Sequence, residues 1–360
     1  MYIRVIIFVI IFTATSATWR RSSGPSTSSN NSQSCPACGS RTLKRSHRLE
    51  SIKNEILRKL RMTSPPNVTG IRMPNLPHLQ MIINRVQMET QHAADQSENE
   101  LATTMTIFRV SQSSPYDPES STVYFDLNSN ELRYPNQVVN AIFYIYIRKL
   151  SDPNPDWQSY VLVYRGYTQH SGQLLFRNKI TYEQTGQWMF FNITSIVQDW
   201  IRHNETNRGL EIFCIDNSGQ SLALTRPLNE EEASNKSYLH MDIVEINSRR
   251  RKRNVDYGKN CEEYSSELDC CRYPLEVNFQ EFGWDWIIIP KTYSAYYCSG
   301  DCPLPSRDPS PYTHVTQDKY KGMCCAPKST SSISMLYYDE RMNIVYGRIP
   351  GMTVNNCSCF

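Results

Sequence analysis

Apolar positions recur at two different periods along these 360 residues. Leu49, Ile52, Ile56, Leu57 and Leu60 fall at i, i+3, i+7, i+8 and i+11, one stripe of an amphipathic helix over 47–62. Glu55 stands four residues before Lys59, the favourable order for an ion pair across a helical turn, and Pro65-Pro66 ends the element. Such a stripe suits packing on the helix's own domain or lying on a partner surface. Residues 63–100 are punctuated by proline, then polar, and read as an extended linker. From 101 to 247 the period changes to two, predicting strands at Met105–Val110, Thr122–Leu127, Val138–Ile147, Tyr160–Tyr164, Trp188–Ile193, Leu210–Ile215 and Tyr238–Ile246. One helix interrupts them, with Ile193, Ile196, Val197, Trp200 and Ile201 on one face. Many short strands separated by turn signals predict a β-sandwich, in which Cys214 is an inert core thiol.

Beyond residue 254 the pattern thins. Two hydrophobic strand regions, Val277–Ile289 and Ile333–Tyr346, are joined by Pro- and Ser-rich sequence. A domain with so little core needs covalent staples. Nine cysteines supply them: Cys261, Cys270, Cys271, Cys298, Cys302, Cys324, Cys325, Cys357 and Cys359. Eight can pair within one chain, which leaves one to join a second copy or stay reactive. Spacing alone leaves the connectivity open. Just upstream, Arg249-Arg250-Arg251-Lys252-Arg253 is a run that a protease can read as a cut site.

The first residues set the compartment. Arg4, the apolar run Val5–Phe12 and the small residues Thr13–Ala17 read as a signal peptide cleaved after Ala17, the run being too short to span a bilayer. An exported product forms disulfides. Sequons at Asn30, Asn67, Asn192, Asn204 and Asn235 agree with export, whereas Asn356-Cys357-Ser358 lies too close to bridged cysteines to carry a glycan. With 38 basic and 35 acidic side chains the chain shows no nucleic-acid signature, and most of its charge asymmetry is the tract at 249–253. No nucleophile elbow, zinc spacing or phosphate loop supports an enzyme, and Cys35-Pro-Ala-Cys38 has no second half for a metal site. Neither cofactor nor metal is expected.

Residues 254–360 resemble the transforming growth factor β superfamily, in its activin/myostatin branch. The resemblance rests on Cys270-Cys-Arg-Tyr-Pro-Leu275, Phe282-Gly-Trp-Asp-Trp-Ile-Ile288, Tyr297-Cys-Ser-Gly-Asp-Cys302, Cys324-Cys325, Ser334-Met-Leu-Tyr-Tyr-Asp339 and Cys357-Ser-Cys359. Upstream, Cys35-Pro-Ala-Cys38, Arg48–Lys53, Ile56-Leu57, Lys59-Leu60-Arg61 and Pro66-Asn67 are similar, in order, to the propeptide of the myostatin group. The fold implied is mainly β: a cystine-knot growth factor domain of two β-fingers with a heel helix, preceded by a β-sandwich prodomain with an N-terminal inhibitory helix.

The resemblance implies the pairs Cys261–Cys271, Cys270–Cys325, Cys298–Cys357 and Cys302–Cys359, with Cys324 joining two subunits. The second of these bridges, Cys270–Cys325, would pass through a ring of eight residues closed by the last two, and Gly300 would keep that ring open. Closing the 55-residue loop at Cys270–Cys325 would contribute about 4 kcal/mol. Convertase cleavage is implied after Arg253, with Arg250 and Lys252 completing the recognised pattern. Trp284 and Trp286, two apart on a strand, would share one face and meet the partner's helix and a type I receptor; a pair this large is not expected to be buried within one subunit. Ile289, Pro290, Ser334, Leu336, Tyr338 and Ile344 would form an exposed convex patch for a type II receptor. The helix at 47–62 would cover the surface near the tryptophans.

Partners implied are a second copy, receptor serine/threonine kinases of both types, the propeptide, a proprotein convertase and follistatin-like antagonists. Two departures stand out: only 21 residues separate Cys302 from Cys324, and Asn84–Thr90 lacks the Arg-Asp or Gly-Asp dipeptide of a tolloid site, with Ala94-Asp95 a weak substitute. The rival readings are a secreted cystine-knot antagonist, disfavoured by the long propeptide and by Cys324, and a bone morphogenetic-type ligand, disfavoured by Cys261 and Cys271.

Overall fold

A computed structural model describes residues 45–91, 104–116, 120–132, 134, 136–151, 154–166, 172–245, 259–262, 269–302 and 324–360. They all fall within one compact unit, Cys35–Phe360. The signal peptide, Cys35-Pro-Ala-Cys38, Asn30, Ala94-Asp95, the basic tract with Arg250, Lys252 and Arg253, and the heel helix expected between Cys302 and Cys324 lie outside the described residues.

Helix α1 spans Arg45–Lys59 and buries Ile56. It stops short of residue 62 because Arg61 turns left-handed, at φ 55°. The Met62 N–H then reaches back to the Leu57 carbonyl (2.9 Å), closing the last turn. The stretch 63–100, expected to be extended, instead carries a second helix, α2 (Leu79–Gln91). Its buried edge is Leu79, Ile82, Ile83 and Val86, spaced for a helix.

The upstream strands are β1 (Thr104–Val110), β2 (Gln112–Ser113), β3 (Thr122–Tyr124), β4 (Asn136–Ile147), β5 (Gln158–Arg165), β6 (Gln173–Thr181), β7 (Gln187–Asn192), β8 (Leu210–Phe213) and β9 (Tyr238–Glu245), with α3 at Thr194–Arg202 and a short α4 at Glu230–Ala233. Strands β2-β3-β8-β5-β6 form one sheet. Its inner residues, Val161, Val163, Leu210 and Ile212, are buried, as are Phe143, Ile145, Leu239, Met241 and Ile243 on the facing strands β4 and β9. Alternate burial on two facing sheets makes the sandwich. Val197 and Trp200 of α3 and Cys214 complete this core.

In the cysteine-rich region, Val277–Ile289 is not one strand. It divides into β11 (Glu276–Asn278) and β12 (Ile287–Ile289), broken by a turn in which Gly283 is left-handed at φ 69°. Ile333–Tyr346 likewise spans the turn of a long hairpin, β15 (Cys325–Tyr338) and β16 (Ile344–Cys359). Short ribbons pair β10 (Cys271–Tyr273) with β14 (Tyr297–Ser299) and β11 with β13 (Thr292–Ser294). The two regions share a sheet: β12-β15-β16-β1-β9-β4-β7 is continuous, and its seam is the antiparallel register Thr106↔Tyr346, Ile107↔Val345, Phe108↔Ile344.

Candidate functional site

Four bridges tie the cysteine-rich region: Cys261–Cys271, Cys270–Cys325, Cys298–Cys357 and Cys302–Cys359. The sulfurs of Cys270, Cys302 and Cys359 lie within 4.8 Å of one another, so the Cys270–Cys325 bridge runs against the ring closed by Cys298–Cys357 and Cys302–Cys359. Gly300 stands at φ 121°, and a Cβ there would lie 2.2 Å from the Asp269 carbonyl oxygen. Only glycine tolerates both the dihedral and the approach. Cys324 is disulfide-bonded as well, and the described residues do not include its partner. A link from Cys324 to a second copy would come by exchange of that bond.

Trp284 and Trp286 occupy the turn between β11 and β12 rather than a strand. Both are buried, at 4% and 1% exposure, while Asp285 between them faces solvent. In the precursor the pair is therefore buried rather than exposed, under a cover to which the propeptide contributes. An aromatic stack does much of the covering: Trp284 lies 5.2 Å from Trp286 and 5.4 Å from Phe282, and Trp286 meets Tyr337 edge-on at 6.0 Å. Helix α1 extends the cover. Its Lys53 Nζ stands 4.8 Å from the Phe282 ring and its Arg48 guanidinium 3.8 Å from the Tyr297 ring. Arg45 donates to the Glu276 carbonyl, and Lys59 Nζ donates to the carbonyls of Pro350 and Gly351. Burial lowers the Arg48 pKa, partly offset by Tyr297. Lys59 also meets Glu55 at 3.5 Å. Along the stripe Ile56 is buried completely, and Leu49, Ile52, Leu57 and Leu60 pack half-buried against the same cluster.

The opposite face holds Ser334, Leu336, Tyr338 and Ile344, and there too exposure was expected. All four are buried, as is Pro290, and Ile289 is half-buried. The reason is a second cover that the linker reading missed. Helix α2 lies on β15 and β12, with Glu89 accepting from the Ser334 hydroxyl and the Arg85 guanidinium 5.8 Å from the Tyr346 ring. At its other end His78 Nε2 meets the Tyr144 hydroxyl at 2.8 Å, on the same face of the continuous sheet. Strand β1 closes the flank by pairing with Ile344–Tyr346. One helix thus grips both sides of the seam.

The hairpin tip, Asp339–Asn343, is held as well. Glu340 accepts from the Thr63 N–H and hydroxyl, which lower its pKa, and Arg341 donates to Asp126. Among the sequons, Asn67, Asn192 and Asn204 are exposed, Asn235 is half-buried beside Asn75, and Asn356 is buried, leaving no room for a glycan.

The cover and the covered region each match a known family along their own span. The transforming growth factor beta like domain matches residues 269–359, and the TGF-beta propeptide matches residues 33–239. The chain belongs to the transforming growth factor β superfamily. It is a growth factor precursor in which a propeptide, reaching at least to Leu239, packs on its own growth factor domain, a mainly β cystine-knot fold. The signals for what the sequence reading missed were local: α2 has helical spacing behind a proline-rich prelude, whereas Thr63, Asp126 and the tip residues carry no periodicity at all.

Proposed function

We propose that this precursor yields a secreted, disulfide-linked dimeric ligand of the activin/myostatin type. It bridges type I and type II receptor serine/threonine kinases, and the propeptide keeps it latent until displaced. The observation that carries this reading is the double cover: α1 lies against the tryptophan turn and α2 against the face of Ser334, Leu336 and Tyr338. These are the two surfaces that the resemblance assigns to the two receptor types. Exposed, each is an apolar patch of the kind that binds a partner. A dimer holding two receptors of each type acts by proximity, and two linked sites raise effective concentration. Convertase cleavage after Arg253 breaks the peptide connection between propeptide and ligand, and exchange of the Cys324 disulfide frees the ligand and links the subunits. Release leads to Smad-type signalling.

The test is secretion of the full chain, with Cys324→Ser and Arg253→Ala alongside, followed by a receptor reporter assay on the cut product. A reducible dimer that activates the reporter alone supports the reading. A product that only blocks other ligands supports the antagonist class instead. Receptor pulldown with Trp286→Ala and Leu336→Asp ligands tests the surfaces; binding like wild type by both removes the assignment.

A further inference from the structure

The tip of the β15–β16 hairpin is Asp339-Glu340-Arg341, and the last two of these consecutive side chains each meet a different propeptide segment. Arg341 Nη1 lies 3.0 Å from Asp126 Oδ2, just beyond β3. Glu340 Oε1 accepts from Thr63, beyond α1, at 2.6 Å from the N–H and 2.9 Å from the hydroxyl. Arg109 of β1, only 2% exposed, donates to the Asp126 carbonyl and the Ser129 hydroxyl, and the Asp339 carboxylate acts on it at longer range. Burial disfavours the Arg109 cation, and the carboxylates of Asp339 and then Asp126 are the charges that offset this, against an opposing contribution from Arg341. The charges are thus exchanged: the propeptide contributes one base and one acid, and the tip answers with an acid and a base.

The tip presents this pattern by itself. Asp339 Oδ1 accepts from the N–H groups of Arg341 and Asn343, each at 2.8 Å, and Oδ2 accepts from Asn343 Nδ2 at 2.7 Å. On the other side the Asp126 carboxylate is oriented by the Asn128 N–H at 2.9 Å. Both halves are organised before they meet, which lowers the cost of joining them.

We propose that this fingertip triplet is the element by which the propeptide selects its own growth factor domain, holding an acid-acid-base tip and rejecting one whose final charge is reversed. The inference rests on the reading of the upstream region as a cover that stays on the ligand. Its physical basis is an asymmetry. An exposed ion pair such as Arg341–Asp126 adds little affinity. Like charges brought together at the same place cost far more, and a buried cation deprived of its counter-charge more still. Such an arrangement discriminates between partners more than it strengthens one.

The experiment is a charge-reversal cycle in the full chain: wild type, Asp126→Arg, Arg341→Asp, and both together. The two side chains are 42% and 46% exposed, so the reversals are expected to leave the fold intact, which circular dichroism of each variant checks. After cleavage at the basic tract, with every variant in a Cys324→Ser background, propeptide release from the immobilised growth factor domain is followed by interferometry. Each single reversal is expected to speed release about 10-fold, and the double variant to return within about 3-fold of wild type. Singles that release like wild type, or a double variant as fast as the product of its singles, overturn the proposal. Amide exchange at residues 339–343 in the uncut chain is expected to follow the same order, which removes any dependence on cleavage. Neither readout involves a receptor: a ligand that fails to signal yet shows the rescue sinks the receptor reading alone.

Discussion

Replacing Gly300 by alanine adds one carbon at the most crowded point of the knot. Its φ of 121° is a conformation in which an L side chain costs about 1–3 kcal/mol. The new Cβ would stand 2.2 Å from the Asp269 carbonyl oxygen and 2.9 Å from the Cys270 nitrogen, both backbone atoms with no side-chain freedom to yield. The segment carrying Cys270 must move. That movement breaks the Cys270 N–H bond to the Asp301 carbonyl, now 3.0 Å long, at about 1 kcal/mol. It also draws Cys270 away from Cys325, forfeiting a bridge between residues 55 apart that contributes about 4 kcal/mol. The total, about 6–8 kcal/mol, is comparable with the whole stability of a domain this small. Pulse–chase secretion with non-reducing peptide mapping is the assay. Gly300→Ala is expected to be retained in the cell with Cys270 mispaired. Gly283→Ala is the control: its φ of 69° carries similar strain, but nothing lies within 4 Å of the added carbon, so it is expected to be secreted. A Gly300→Ala chain secreted like wild type with Cys270–Cys325 intact would refute the reasoning.

Ile56→Glu places a carboxylate at a fully buried position of α1 and is expected to lower propeptide suppression of receptor binding at least 10-fold, read by titrating the uncut and cut chains in a receptor capture assay. Asp242 provides a pH signature. Burial alone would raise its pKa, but hydrogen bonds from His240, Asn140 and Thr106 outweigh that and hold it at about 2. A folded pKa below the unfolded value contributes stability above about pH 4 that is lost as pH falls toward 2, about 2 kcal/mol in all. Acid unfolding followed by circular dichroism should therefore be less steep in Asp242→Asn, and an unchanged acid limb counts against the pairing. Cys214 is buried and its thiol is pushed up to about 11, so native chain should resist alkylation at neutral pH and label only on unfolding; prompt labelling of the native chain contradicts the core assignment.

Legibility followed burial. Strands β4, β5 and β9 are readable because burial largely alternates along each, so the alternation is written in the sequence, whereas β1 is buried on both faces from Thr106 to Arg109. Strand β6 was missed because it is exposed almost throughout, with Ile180 alone fully buried, so it has no alternation to read. Val277–Ile289 and Ile333–Tyr346 looked continuous because the turns within them keep their apolar flanks; only a left-handed Gly283 and the Asp339–Asn343 turn interrupt them. Trp284 and Trp286 alternate with Asp285 in exposure although no strand carries them. A turn produces the same alternation that a strand would.

The chain's own order of residues determined its covalent frame and its local elements. Adjacent cysteines, a glycine where no side chain fits, and helical or alternating apolar stripes act over a few residues and leave their mark in sequence. Which surface covers which was decided only in three dimensions. A buried Leu336 looks the same in sequence whether a receptor, a second subunit or α2 lies on it, because burial requires an apolar neighbour without naming it. The seam Phe108↔Ile344, the grip of Glu89 on Ser334 and the charge exchange at the fingertip join residues more than 200 positions apart. Periodicity does not reach that far; packing does.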